Sequence, residues 1–163
     1  MARYRAAVIG LGRMGSTLDY SIAAACQALG RLELVAGADI LPERRSAFQE
    51  RWGVSAVYED YVEMVEKEKP DLVAVCTTAT GLQKPGRRAP SPDFRQDMHA
   101  EMAARLADAG VPMLYVEKAL ACSMRAADEV LDACRRRGTA LNTGVVLRFD
   151  SRFEAARDLV QRG

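Results

Sequence analysis

Rings are scarce in this sequence: 6% of its 163 residues are aromatic, with one tryptophan and one histidine. Trp52 and the tyrosines show no spacing that would stack successive bases of a single strand. An excess of charge is also missing, since 23 basic residues stand against 22 acidic ones for a net charge of +1. That balance leaves no footprint for a nucleic-acid surface or an anionic membrane. The local basic runs, Arg87 with Arg88 and Arg135 to Arg137, read as solvated loop and helix-end charge. No apolar stretch nears the ~20 residues needed to cross a bilayer. The four cysteines (Cys26, Cys76, Cys122, Cys134) have no C-x-x-C pairing and no metal-ligand spacing, so no metal site is expected. Three of them lie in apolar segments, which points to buried thiols in a reducing compartment. Residues 1–5 open directly into the first strand with no room for a leader, and the cytoplasm is the expected location.

What is present is a globular composition, 49% hydrophobic and 28% charged, at a length that suits one domain over 1–163. Residues 6–39 organise the rest. An apolar run from Ala6 to Ile9 leads into Gly10-Leu11-Gly12-Arg13-Met14-Gly15. Leu18, Ile22, Cys26 and Leu29 follow at helical spacing, and a second apolar run beginning at Leu32 stops at Asp39. This reads as strand, glycine turn, helix and strand with a carboxylate at the tip. In a dinucleotide site Gly10 permits the turn, Gly12 lets backbone amides approach a pyrophosphate, and Gly15 lets the helix pack on the strand. The helix start offers unpaired N–H groups and a positive dipole end to the phosphates. Asp39 is placed to accept hydrogen bonds from the adenosine ribose. The alternatives are a turn that serves packing alone, or a site for another nucleotide-like ligand such as S-adenosylmethionine.

The helix predicted over 13–29 ends at Gly30, and a second over 42–52 opens at Pro42 and stops at Gly53. Residues 56–58 form a short third strand. Asp60 with Glu63 has capping-box spacing for a helix through 68. Leu72 to Cys76 is an uninterrupted apolar run of the kind found in central parallel strands. Residues 81–97 hold three of the six prolines and read as a long surface loop, either a lid or a tolerated insertion. A helix over 96–109, a strand over 111–116, a helix over 123–137, a strand over 141–146 and a last helix capped by Ser151 with Glu154 complete the chain. Such alternation argues for an α/β, doubly wound, mostly parallel sheet of about six strands.

Ligands of such sheets sit beyond the carboxyl ends of the strands, where strand order reverses. That rule selects Gly10 to Gly15, Asp39, Cys76 with Thr77 and Thr78, Glu117 with Lys118, and the loop after residue 80. Asp39 favours NAD over NADP because a carboxylate repels a 2′-phosphate, although Arg44 and Arg45 lie close by. Lys118 follows a strand end, where it either orients or deprotonates a substrate hydroxyl or pairs with Glu117. His99 either packs within its helix or reaches the cofactor rim.

On GLGRMG at 10–15, ADILPER at 38–44, VYEDYVEMV at 57–65, CTT at 76–78, MHAEMA at 98–103, VEKA at 116–119 and RFD at 148–150, nearly the whole chain resembles one family. It is similar to the N-terminal Rossmann domain of the glucose–fructose oxidoreductase / inositol dehydrogenase (Gfo/Idh/MocA) family. The resemblance implies hydride exchange between a nicotinamide cofactor and a sugar or polyol hydroxyl. It implies pyrophosphate contacts from Arg13 and Met14, and ribose contacts from Asp39 with Ile40 and Arg44 beside it. Cys76, Thr77, Thr78 and His99 would line the dinucleotide, Glu117 would lie near the nicotinamide, and Lys118 would touch the reacting hydroxyl. The sequence departs from the family where the E-K-P proline is Ala119, which disfavours a cis bond there. It departs again at Val146, where asparagine is common, in the long 81–97 loop, and in a first helix about one turn longer. The family's C-terminal α/β substrate domain is not expected within 1–163, so the chain alone is expected to bind NAD without turnover and to expose a surface prone to self-association. A stand-alone NAD(H)-sensing or scaffold module is the alternative. A methyltransferase is disfavoured by the Glu117-Lys118 and ADILPER motifs.

Overall fold

The computed structural model describes residues 3–77 and 98–163. Six strands form one sheet: β1 (Tyr4–Ile9), β2 (Leu32–Ala38), β3 (Val57–Tyr58), β4 (Leu72–Val75), β5 (Met113–Val116) and β6 (Ala140–Thr143), in the order β3-β2-β1-β4-β5-β6. Every neighbouring pair is parallel. The order reverses between β1 and β4, which pair from Ala6↔Leu72 to Ile9↔Val75, so a crevice opens above those two strand ends.

Alternate side chains of the central strands feed two cores. Ala7, Ile9, Val73 and Val75 pack on Met64 of α3 (Tyr61–Glu68), Leu106 of α4 (Met98–Asp108) and Val130 of α5 (Met124–Arg137). Val8 and Ala74 face the other way, onto Ala23 of α1 (Ile22–Ala28) and Phe48 of α2 (Pro42–Trp52). An apolar run with no polar alternation is what a sheet covered on both faces requires. The expected doubly wound α/β fold is therefore present.

The first helix differs from its expected course. It begins as one π turn, Arg13–Thr17, breaks at an extended Leu18, and restarts as α1 with Ser21 as N-cap. The Ser21 hydroxyl accepts the Ala24 N–H at 3.3 Å and donates to the Ser16 carbonyl at 3.1 Å, so one short side chain ends one segment and starts the next. Arg51 and Trp52, at the end of α2, brace the break from outside. Arg51 donates to the Thr17 carbonyl (2.6 Å) and to Asp19 (2.9 Å), and the Trp52 indole N–H donates to Ser16 Oγ (2.9 Å). The apparent extra turn of helix is thus a braced loop.

Two caps also differ. Asp60 accepts the Val62 N–H at 2.7 Å, but Glu63 turns away to Lys67 at 2.6 Å, so half of the capping box forms. The cap of α6 (Ser151–Arg162) is Asp150, which accepts the Arg152 N–H at 3.0 Å, and not Ser151. Strand β6 ends at Thr143, opposite the last residue of β5, and the chain turns into a 3-10 segment, Val146–Phe149. That segment and α6 bury no side chain, and leave Val145, Val146, Leu147, Phe149, Phe153, Leu159 and Val160 exposed. Among the described residues no helix is long and apolar enough to cross a membrane. Thr78 and the 81–97 segment lie outside the described residues.

Candidate functional site

A cavity of about 1130 Å³ occupies the crevice above β1 and β4 and extends past the end of β2. Gly10, Gly12, Arg13, Met14, Asp39, Ile40, Arg44, Cys76, Thr77, Glu117 and Lys118 all line it. Gly15 and His99 do not reach its wall.

The glycine turn is fixed by what a side chain would strike. Gly10 has φ +84°, and an added Cβ would sit 2.7 Å from the Thr77 nitrogen and 2.8 Å from the Cys76 carbonyl carbon. At Gly15 a Cβ would run into the Gly10 carbonyl oxygen. Gly10 lets the turn close against the end of β4, and Gly15 lets the following helical turn close on Gly10 and β1. Gly12 differs, because it lines the cavity and a Cβ there would meet the Arg44 guanidinium at an ordinary 3.6 Å. The cavity floor at Gly12 is therefore bare backbone.

Asp39 ends the β2 run, with its side chain 3% exposed. Oδ2 accepts the Leu11 N–H at 2.9 Å and faces Arg44 Nη1 at 3.3 Å, while Oδ1 accepts the Leu41 N–H at 3.0 Å. The carboxylate thus ties the glycine turn to the start of α2. Of its roughly four lone-pair sites, three are engaged by protein donors.

At the other end, Glu117 is buried with two modest partners, the Tyr115 hydroxyl on Oε2 and the Lys118 N–H on Oε1, each at 3.2 Å. Gly144 follows β6, and an added Cβ there would lie 3.0–3.1 Å from both Glu117 oxygens, so glycine leaves that carboxylate its space. Burial and the Glu117 charge push the Tyr115 phenol and the Cys76 thiol well above their ordinary pKa ranges. Cys76 is therefore a neutral thiol in the wall and no nucleophile. Thr77 Oγ1 is buried without a hydrogen-bond partner among the described residues.

His99 is 1% exposed beneath the rim. Its Nε2 lies 2.8 Å from the Thr77 carbonyl oxygen and its Nδ1 2.7 Å from that of Ala119. The ring bridges the loops leaving β4 and β5, which sets the spacing of Thr77 and Lys118. A neutral ring donates to one of these carbonyls at a time, and an imidazolium to both. The Lys118–Ala119 peptide bond is cis, which corrects the expectation drawn from the missing proline.

Sequence reasoning did not single out Leu18 and Tyr20 on the braced loop, Glu59 and Tyr61 after β3, Met98 and Met102 on α4, or Gly144, all of which line the cavity. Glu59, Tyr61 and Gly144 follow strand ends, and the strand-end rule applied to β3 and β6 would have reached them. Leu18 and Tyr20 carried no signal, because helical spacing hides a break.

The family described as "Oxidoreductase family, NAD-binding Rossmann fold" matches residues 4–145. Over 159 residues the chain is 26% identical to a myo-inositol 2-dehydrogenase of Thermotoga maritima, covering 98% of this chain and 41% of that one. The chain thus spans about two-fifths of the length of the curated relatives it matches. Among solved structures, a probable dehydrogenase from Thermotoga maritima superposes with a TM-score of 0.76 at 26% identity, over 98% of this chain and 41% of that one. GenD2 from gentamicin A biosynthesis, solved in complex with NAD, has a TM-score of 0.71 at 25% identity, over 88% of this chain and 35% of that one.

Proposed function

This chain belongs to the oxidoreductase family with an NAD-binding Rossmann fold, and from that premise we propose that its cavity takes a nicotinamide dinucleotide, NAD before NADP, along the rim from Asp39 to Lys118. The reading rests above all on the floor at Gly12, where bare backbone lines the cavity beside the Arg44 guanidinium, between two glycines that cannot carry a side chain. GenD2, similar in fold and sequence, is a complex with NAD. The residues fit such a group on their own chemistry. The turn at Gly12, Arg13 and Met14 offers backbone to a pyrophosphate. Asp39 retains one acceptor site beside Ile40 for a ribose hydroxyl, and Thr77 Oγ1 has an unused hydrogen bond to give or accept. His99 holds this wall in place from behind.

The whole protein's proposed activity is hydride transfer between the nicotinamide and a sugar or polyol hydroxyl, since the relative of known name acts on myo-inositol. The nicotinamide, when bound, supplies a two-electron acceptor. Lys118, beside the cavity and one residue past Glu117, would donate a hydrogen bond that orients the reacting hydroxyl. Glu117, with acceptor capacity left over, holds donors of the ligand at that end. The substrate half is proposed to cover the apolar face of the 3-10 segment and α6, and the described domain alone to bind cofactor without turnover. Buried Cys26, Cys76 and Cys134 support a reducing compartment such as the cytoplasm.

Titration calorimetry with NAD and S-adenosylmethionine tests the reading. Saturable binding of one NAD per chain and no heat from S-adenosylmethionine is the expected result. No binding of NAD would overturn it.

A further inference from the structure

We propose that Tyr115 is a positioning residue for Glu117, its hydroxyl aiming the carboxylate so that this wall grips the nicotinamide half of the dinucleotide. The inference rests on the nicotinamide-dinucleotide reading above, and goes beyond it because Tyr115 lies behind the cavity wall and not on it. Leu114 and Val116 of β5 face the core shared with α4 and α5, so Tyr115 faces the opposite core with Val8 and Ala74. Glu117 comes two residues later and therefore on the same side of the sheet. Two residues of strand advance about 6.6 Å, a span that a phenol crosses and an aliphatic side chain does not. The Tyr115 hydroxyl reaches past the strand end and donates to Glu117 Oε2 at 3.2 Å.

Glu117 needs such a donor, because it is 7% exposed and a buried carboxylate is costly unless it is hydrogen-bonded. Its other partner among the described residues, the Lys118 N–H, belongs to the neighbouring peptide and is present whatever side chain stands at 115. The Tyr115 hydroxyl is therefore the side-chain donor that selects one oxygen and fixes the plane of the carboxylate. The remaining lone pairs are left for the cavity that Glu117 lines. Burial, and then the Glu117 charge, push the phenol well above its ordinary pKa range, so it stays a donor through mildly alkaline pH. Gly144 points the same way from another strand. An added Cβ there would collide with the Tyr115 hydroxyl and lie 3.0–3.1 Å from both Glu117 oxygens. The Gly144 backbone is not left-handed, so glycine is required there for space and not for conformation. Its N–H donates to the Val116 carbonyl at 2.8 Å, which holds that space open beside the pair.

The test is calorimetry with NAD and with ADP, which carries the adenosine and two phosphoryl groups but no nicotinamide. The proteins are the wild type, Tyr115→Phe, Glu117→Ala and the double variant. Tyr115→Phe keeps the ring and removes only the hydroxyl. It is expected to weaken NAD about three- to tenfold and to leave ADP within about twofold. In the Glu117→Ala background the same change is expected to alter NAD affinity by less than about twofold, because no carboxylate is left to aim. A role in packing alone would lower NAD and ADP together and would persist without Glu117. Equal losses for the two ligands, an unchanged NAD affinity, or an undiminished loss beside Glu117→Ala would each overturn this inference alone. A wild type that does not bind NAD would overturn the cofactor reading, and this inference with it. Circular dichroism checks that each variant is folded. Should Tyr115→Phe not fold, Gly144→Ala crowds the same two groups from the end of β6 and carries the test, with the same NAD-selective loss expected.

Discussion

Asp39 ties the glycine turn to the start of α2, and on the proposed reading it also offers an acceptor to the ribose. Replacing it with alanine strands the Leu11 and Leu41 N–H groups and releases Arg44. Asp39→Ala is expected to cost about 2–3 kcal/mol of stability, read by urea unfolding, because unpaired donors in a closed wall lose their full solvation. It should weaken NAD more than NADP in calorimetry, since it removes a ribose acceptor while freeing a cation. Equal losses would argue against any ribose contact from Asp39. The importance of this position was legible in the sequence from its place at the end of an apolar run. Its three protein donors were not, because they come from residues 11, 41 and 44, whose approach depends on how the turn and α2 dock. His99 was likewise visible only as a residue with two possible fates. Its burial between two carbonyl oxygens follows from the meeting of the loops after β4 and β5, which no local pattern encodes.

Among the elements, strands and the longer helices followed from hydrophobic period and end signals. Gly53 and Gly138 end α2 and α5 in left-handed conformations, as expected of glycine at those places. The break between Thr17 and Ile22 did not follow, because it depends on Arg51 and Trp52 reaching over from a different helix. Ser21 is the pivot of that break. Ser21→Ala removes the N-cap of α1 and the tie to Ser16, and is expected to cost about 1–2 kcal/mol in urea unfolding. Since Leu18 and Tyr20 line the cavity from this loop, NAD affinity should fall as well. A variant of unchanged stability would mean that Arg51 and Trp52 hold the break without the cap.

For the whole molecule, burial of thiols makes stability depend on alkaline pH. Burial pushes the Cys26 thiol up from 9.0 to about 11, so the folded state keeps a proton that the unfolded chain loses. Its contribution is complete below pH 9.0 and disappears as pH rises to about 11, a loss of about 2–3 kcal/mol. Cys76 and Tyr115, shifted in the same direction, act in the same sense. Urea midpoints should therefore fall steeply above pH 9.0, and Cys26→Ala should flatten the fall. A flat profile would contradict the burial of these groups.

The exposed apolar side chains after β6 have a consequence of the same scale. The domain alone should self-associate through them, and Phe153→Asp with Leu159→Asp should return it to a monomer on gel filtration. A monomeric wild type would count against a role for this face in covering or being covered. The parallel sheet and two-sided core were readable from alternation of elements, whereas this exposed face was hidden because the apolar spacing of α6 looks the same whether or not a partner covers it.

The most direct measurement is a residue-resolved NMR titration of the amides with NAD. Shifts are expected to concentrate at Leu11 to Gly15, at Asp39 and Ile40, and at Thr77 and Glu117 to Ala119, saturating together at one NAD per chain. Saturation with those amides unmoved, or shifts confined to some other face, would contradict the claim that the glycine turn and the strand ends beside it hold the cofactor.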